Sequence, residues 1–250
     1  NASDDDLQTQ LTLTLPQASL LRNARNLGFG AANNRALAQV QTPYALLLNP
    51  DCLPTKEFLD GLLQAAADFP DAAILAPHLI RRNGTPEVSY RWPSTHWVSR
   101  GPKADGPCCV GFVCGAVILL NMDVMKRIGF FDETFFLYYE DDDLCLRLFN
   151  ARRPMVLLPD IQAVHRSRGS VKGRSPLKSE YVRGFHHAQS KLIFEQKHGS
   201  RARALSQRRS LLLSTSLALP LRVVLFSPKR IARMAGRWMG LLRWQADEPM

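Results

Sequence analysis

Apolar positions along this chain come in two periods. Short unbroken runs, "YALLL" at 44–48, "AAILAP" at 72–77, "GAVILL" at 115–120, "MVLLP" at 155–159 and "IQAVH" at 161–165, have the length and punctuation of buried strands. Between them lie segments with helical spacing. "TKEFLDGLLQAAADF" places Phe58, Leu59, Leu62, Leu63, Ala66 and Phe69 on one side, with Thr55 positioned to cap it. "NLGFGAANNRALAQV" is a glycine-rich turn opening a helix from about Gly30 to Gln39. "MDVMKRI" and "YEDDDLCLRLFNA" read as further helices. Residues 3–10 read as a short helix capped by Ser3, with a strand within 11–21. This alternation predicts an α/β domain with a largely parallel sheet.

The pattern dissolves from Arg81 to Pro107, and a loop that long is usually functional. Beyond Ser170 the chain is helical and basic, with helices expected near 177–198, 202–226 and 229–244. A division into a unit over 1–200 and a basic helical extension over 201–250 follows.

Charge sharpens that division. Residues 1–165 hold 14 Lys/Arg and 18 Asp/Glu; residues 166–250 hold 18 and 4. The net charge of +10 is therefore a property of the C-terminal part, and points to an anionic partner. Its longest apolar run, 211–226, contains Pro220 and Arg222 and is shorter than the roughly 20 residues a bilayer span needs. In "PKRIARMAGRWMGLLRW", Ile231, Met234, Trp238, Leu241 and Leu242 fall near one helical face, as in a helix lying on an anionic bilayer; packing on the domain is the alternative. No recognised nucleic-acid reader motif is present, and the five cysteines show no ligand or disulfide spacing, which favours reduced thiols.

Four stretches carry candidate chemistry. In "LLLNPDC" a leucine run stops at Asn49-Pro50-Asp51, so Asp51 stands at the carboxyl end of a strand, where parallel sheets place ligands. A carboxylate there suits a hard divalent cation; an ordinary turn is the alternative. Glu140, Asp141, Asp142 and Asp143 begin a helix. One or two acids complement a helix dipole, whereas four repel, and repulsion raises a pKa as a general base requires. Arg25, Gly28 and Gly30 suit backbone and charge contact with phosphate, or a plain turn. His165 in "AVHRSRGS" ends a strand as a possible metal ligand or as a solvated side chain.

In order and spacing, "NASDD" at 1–5, "RNLGFGAANN" at 25–34, "LLLNPD", "GFVCGAVILL", "GFFDETFFLYYEDDDLCLR" and "AVHRSRGS" resemble glycosyltransferase family 2, particularly bacterial rhamnosyltransferase-like members, over about 1–200. The resemblance implies a GT-A fold and an inverting transfer of a sugar, rhamnose by subgroup, from a nucleotide diphosphate donor. The donor would be dTDP-rhamnose or a UDP-sugar, and the acceptor lipid-linked or a cell-envelope glycan. It implies Mg²⁺ or Mn²⁺ held by Asp51 and His165, Asp141 as base beside Glu140, Gly115 and Ala116 under the sugar, and Asn1, Arg25, Gly28, Asn33 and Asn49 at the donor. It also implies a leading β-α-β unit before "NASDD", so the chain is expected to be N-terminally truncated and to bind donor poorly. A cytoplasmic site, peripheral at the inner face of the plasma membrane, completes the expectation. The competing reading is a degenerate, non-catalytic binding module or a basic nucleic-acid-binding protein.

Overall fold

Leucine- and alanine-rich runs with no polar side chain bury their backbone without penalty only where every N–H and C=O is paired, which a sheet provides. The computed structural model, which describes residues 1–2, 6–87, 89–93, 103–166, 175–224 and 226–246, places them in one. In chain order the elements are α1 (Leu7–Thr14), α2 (Phe29–Leu37), β1 (Tyr44–Leu48), β2 (Cys52–Leu53), α3 (Lys56–Asp68), β3 (Ile74–Ile80), β4 (Tyr90–Arg91), β5 (Cys108–Cys109), β6 (Phe112–Val113), β7 (Val117–Asn121), α4 (Met122–Ile128), α5 (Glu140–Asn150), β8 (Met155–His165), α6 (Pro176–His198), α7 (Arg201–Val224) and α8 (Pro228–Arg243).

The sheet runs β1-β7-β3-β8-β2, with β5 added to β8. It is mixed. β1, β3 and β8 point the same way, β7 runs against them between β1 and β3, and β3 with β8 is a parallel ladder. Alternate residues of β3, β7 and β8 face opposite sides. Leu75, Leu119 and Val156 meet Phe58, Leu62 and Ala66 of α3; Ile74, Leu120 and Leu157 meet Met125, Leu144 and Leu148 of α4 and α5. Cover on both faces explains why these strands read as unbroken apolar runs.

Several expectations change. "MVLLP" and "IQAVH" form one strand, because a bulge absorbs the break: Leu158 faces Pro77, and the next partner pair is Gln162 with His78. β1 is an edge strand rather than a buried one; only Leu47 is fully covered and Leu48 is 39% exposed. The strand expected within 11–21 is absent. Its Thr12 and Thr14 hydroxyls bond back to the Gln8 and Gln10 carbonyls in α1, which buries no residue. Asp6 occupies the N-cap position of α1, and Ser3 lies outside the described residues, as do 167–170 of "AVHRSRGS". The 81–107 segment is not wholly loop, since β4 pairs with β6.

The basic part packs as three helices. Ala188 and Leu192 of α6 share a core with Ala204 of α7 and with Leu241 and Trp244. α6 and α8 touch backbone to backbone: a Cβ on Gly184 would fall on the Arg233 carbonyl, and one on Gly236 on the Tyr181 carbonyl. α6 therefore belongs to the helical layer as much as to the sheet unit. Of the α8 residues expected to lie on a bilayer, Leu241 is fully buried, Ile231, Met234 and Trp238 are half-buried and Leu242 is 42% exposed, while the glycine face of α8, nearly opposite, is occupied by α6. On α7, Leu213, Leu217 and Leu221 are exposed as well. Among the described residues no helix is long and apolar enough to cross a membrane.

Candidate functional site

The turn after β1 is fixed before any ligand arrives. Asn49 N–H donates to the Ala116 carbonyl at 2.9 Å, and Cys52 N–H closes the turn on the Asn49 carbonyl at 2.9 Å. β2 then pairs Cys52 with His165 at the end of β8. Two strand ends, distant in sequence, thus bring Asp51 and His165 together. His165 Nε2 lies 3.5 Å from Asp51 Oδ1, with the Asp51 side chain 6% exposed.

His165 is oriented from behind. Its Nδ1 lies 2.9 Å from Glu87 Oε2, so a proton held on Nδ1 would leave Nε2, the nitrogen that faces Asp51, to ligate a metal. Glu87 comes from the segment read as loop, and sequence spacing gave no sign of it. Asp51, Cys52 and His165 are the one group of His, Cys, Asp or Glu among the described residues able to share a metal ion, with ligand atoms within 4.8 Å of one another. Burial, then the charges of Asp51 and Glu87, push the Cys52 thiol up to about 12, so it remains protonated. The donor set is one carboxylate oxygen and one imidazole nitrogen, backed by a second carboxylate. That chemistry fits Mg²⁺ or Mn²⁺ with further positions open, rather than a closed thiolate site. Cys108 and Cys109 join no such group.

The four acids at the start of α5 divide into two pairs. Asp143 is fully buried and meets Lys197 Nζ at 2.6 Å, His198 Nε2 at 2.7 Å and Arg147 Nε at 2.9 Å. Burial pushes its pKa up, but these bonds outweigh it and hold it down at about 2. Arg147 also donates to the Ile128 and Gly129 carbonyls at 3.1 Å, closing the end of α4. Asp142 pairs with Arg91 Nη2 at 2.5 Å, and that guanidinium lies 3.6 Å over the Phe112 ring. Asp142 and Asp143 are therefore structural anchors.

Asp141 and Glu140 differ. Asp141 Oδ2 accepts from Gly115 N–H at 3.3 Å, and the Glu140 side chain is buried with Oε2 lacking a hydrogen-bond partner among the described residues. Burial first, then the adjacent carboxylates, raise both above the ordinary acid range. The preceding Tyr138 and Tyr139 sit in the left-handed region, with φ of 70° and 69°. Bulky residues rarely adopt it, and strain of this kind concentrates at functional sites. No sequence pattern announces it.

Gly115 and Ala116 join the two halves. Gly115 N–H reaches Asp141, while the Ala116 carbonyl receives Asn49 N–H. A Cβ on Gly115 would meet the Asp141 Cβ at 3.5 Å and the Phe29 ring at 3.6 Å.

The remaining expected residues shape the neighbouring loop. Gly28 has φ +89°, and a Cβ there would fall on the Phe136 carbonyl, so its close approach is to the segment before α5. The Asn1 amide donates to the Asn26 side chain and the Gly28 carbonyl, and its oxygen accepts from Leu27 N–H at 2.9 Å. Asn33 bonds back to the Phe29 carbonyl at 2.9 Å. Asn34, not singled out by sequence, stitches α2 to Phe131 with bonds of 2.8 and 3.1 Å. Arg25 is exposed and forms no ion pair among the described residues.

Comparison with known proteins gives the family and the fold. The family model described as glycosyl transferase family 2 matches residues 1–129. An N-acetylglucosaminyl-diphospho-decaprenol L-rhamnosyltransferase of Mycobacterium tuberculosis is 27% identical, over 82% of this chain and 75% of its own. A hexosyltransferase of low-salt glycan biosynthesis, Agl10 of Haloferax volcanii, is 26% identical over 62% of this chain and 53% of its own. Among solved structures, the mannosyltransferase PcManGT from Pyrobaculum calidifontis, in complex with GDP-Man and Mn²⁺, superposes with a TM-score of 0.50 at 15% identity, covering 94% of this chain and 72% of that one. GalNAc-T7 with UDP, GalNAc and Mn²⁺ gives 0.54 at 13% identity over 80% of this chain, but only 42% of that longer chain. The fold is of the GT-A type.

Proposed function

The chain belongs to glycosyl transferase family 2, and from that premise we propose that it is an inverting, metal-dependent transferase moving rhamnose or a related hexose from a nucleotide diphosphate donor to a lipid-linked glycan acceptor. The observation that carries this reading is the convergence of Asp51 and His165 with Asp141 through Gly115 and Ala116. Asp51 and His165 would hold Mg²⁺ or Mn²⁺, whose positive charge would offset the negative charge of the departing diphosphate. Arg25 adds an exposed cation to the donor phosphates, while Asn1, Gly28, Asn33 and Asn49 set the shape of the cradle. The sugar lies over Gly115 and Ala116, where a larger side chain would obstruct it.

Asp141 accepts the proton of the acceptor hydroxyl. The oxygen forms a bond to the anomeric carbon from the face opposite the diphosphate, the carbon–oxygen bond to the diphosphate breaks, and configuration inverts. Its raised pKa makes the carboxylate a better base than an ordinary aspartate while leaving it ionised at neutral pH. Glu140, raised further toward its protonated form, spares Asp141 a second adjacent negative charge. The reaction is placed at the cytoplasmic, inner face of a bacterial plasma membrane, supported by the basic C-terminal part and the exposed leucines of α7.

The test is nucleotide diphosphate release from dTDP-rhamnose and UDP-sugars, with Mn²⁺ or with EDTA. Asp141→Asn should lose at least about 10²-fold in kcat. The acid limb of the wild-type pH–rate profile should lie at least about one unit above 3.9, the ordinary aspartate value. Release that persists in Asp141→Asn would overturn the assignment of the base.

A further inference from the structure

The three C-terminal helices enclose a cavity of about 330 Å³ that the transfer chemistry above does not use. Its wall carries Arg222 from the last turn of α7, Arg230, Arg233 and Arg237 from α8, and His187 with Gly184 from α6. Positions 230, 233 and 237 share one side of a helix. The close approach at Gly184 and Gly236 brings that side against α6.

Four arginines around one cavity suit an anion. Among the described residues, Glu180 lies 3.8 Å from Arg233 and is shared with Arg183 at 3.4 Å. Arg222, Arg230 and Arg237 have no ion-pair partner among the described residues. A guanidinium matches phosphate oxygens two at a time, so several converging forks suit a group with many such oxygens. Burial first, then Arg233, Arg237 and Lys191, hold the His187 imidazole down at about 4.

Two further observations say what carries the anion. His187 links the cavity to the stretch that precedes the acid pair: its ring lies 5.4 Å from the Tyr138 ring and 5.6 Å from that of Tyr139, and these two residues lead directly into Glu140 and Asp141. Beside the cavity, Leu213, Leu217 and Leu221 form an exposed stripe along α7, 64%, 71% and 59% exposed, that ends one residue before Arg222. Phe226, 86% exposed, continues it past the end of the helix. An anion site flanked by an apolar stripe suits a phosphate ester with a hydrocarbon chain.

We propose that the Arg222–Arg230–Arg233–Arg237 cavity holds the diphosphate of a lipid-borne acceptor, with the lipid chain leaving along the α7 stripe. The proposal rests on the acceptor of the transferase reading being lipid-linked, and it assigns that acceptor's anionic group to named residues. The donor diphosphate is provided for separately by Asp51 and His165.

The experiment is calorimetric titration of the full chain with farnesyl diphosphate in EDTA, which silences the metal-dependent donor site. Wild type and Asp51→Asn should bind alike. Arg230→Gln/Arg237→Gln should bind at least about tenfold more weakly, as loss of charge-assisted phosphate contacts implies. Arg222→Gln, outside the α6–α8 contact, should weaken binding in the same direction and decides the matter if the double variant melts early. Wild-type affinity in both variants would overturn the proposal. So would inorganic pyrophosphate binding as tightly as farnesyl diphosphate, since no lipid would then be recognised. Binding of phosphatidylglycerol vesicles with the same arginine dependence, while farnesyl diphosphate fails to bind, would replace it with a bulk lipid surface. An arginine-dependent site in a chain that releases nucleotide diphosphate from no donor would leave this site standing and sink the transferase reading. A donor-active chain with undiminished farnesyl diphosphate binding in both variants would do the reverse.

Discussion

Replacing Asp143 by Asn should unfold the chain far more readily while leaving its shape almost unchanged. The native carboxylate has no solvent exposure and receives Lys197, His198 and Arg147 within 2.9 Å. An amide of the same size cannot neutralise Lys197 and Arg147, and breaking a buried ion pair from one side costs about 3–5 kcal/mol. At a denaturant slope of about 3 kcal/mol per M urea, a loss of about 3 kcal/mol moves the midpoint down by roughly 1 M. The second arm is pH. The pKa falls from 3.8 in an unconstrained aspartate to about 2 in the folded protein. A depressed carboxyl pKa contributes stability that is present above the unfolded value and lost as pH falls through the folded one. The shift corresponds to about 2–3 kcal/mol at pH 7, with about half gone by pH 3. Urea midpoints of wild type and Asp143→Asn, taken at pH 7, 5, 4 and 3, should therefore converge only below about pH 4. Equal midpoints at pH 7, or a gap constant down to pH 3, would refute the assignment of Asp143 as the anchor between α5 and α6.

Two further perturbations test other links. Glu87→Gln removes the carboxylate behind His165 and should weaken Mn²⁺ binding by about 10–100-fold, read by electron paramagnetic resonance of free Mn²⁺ without any turnover; unchanged affinity would mean that Glu87 does not orient the ligand. Gly236→Ala puts a methyl on the Tyr181 carbonyl and should cost about 1–3 kcal/mol, seen as a melting temperature lower by about 2–4 °C per kcal/mol, whereas Leu213→Ala on exposed α7 should be near neutral.

What the sequence showed and what it hid follow one physical division. Periodicity reports a residue's burial, so β3, β7, α3 and α5 were legible: their apolar positions answer to layers that cover them. The strand ends were legible for the same reason, because an apolar run stopping at Asp51 or His165 marks the edge of the covered region. Partners across space leave no such trace. Glu87 is 78 residues from His165 and Arg91 is 51 residues from Asp142. Only Arg147, four residues from Asp143 on the same helix face, could have been found by spacing. The glycines at 236 and 240 were in plain view, four apart, but a spacing of small residues names a close approach without naming the helix approached.

The acid run is where this division has the most consequence. Read along the chain, Glu140 to Asp143 are four equivalent charges at a helix start, and their repulsion is a cost without an evident return. In the fold they are not equivalent. A helix turns about 100° per residue, so four consecutive side chains leave in four directions and meet four environments. Two of those environments hold arginine, lysine and histidine, and there the charges lock α5 to β4 and α6. Of the other two acids, Asp141 accepts from Gly115 N–H, and burial first, then neighbouring carboxylates, raise the pKa of both. The anchored pair makes the raised pair possible, because the salt bridges of Asp142 and Asp143 hold the helix start, and the left-handed Tyr138–Tyr139 step before it, against the repulsion that tunes Asp141. An Arg91→Ala change would accordingly be felt at Asp141 without touching it, since the guanidinium charge that lowers the Asp141 pKa would be gone and that pKa would rise further.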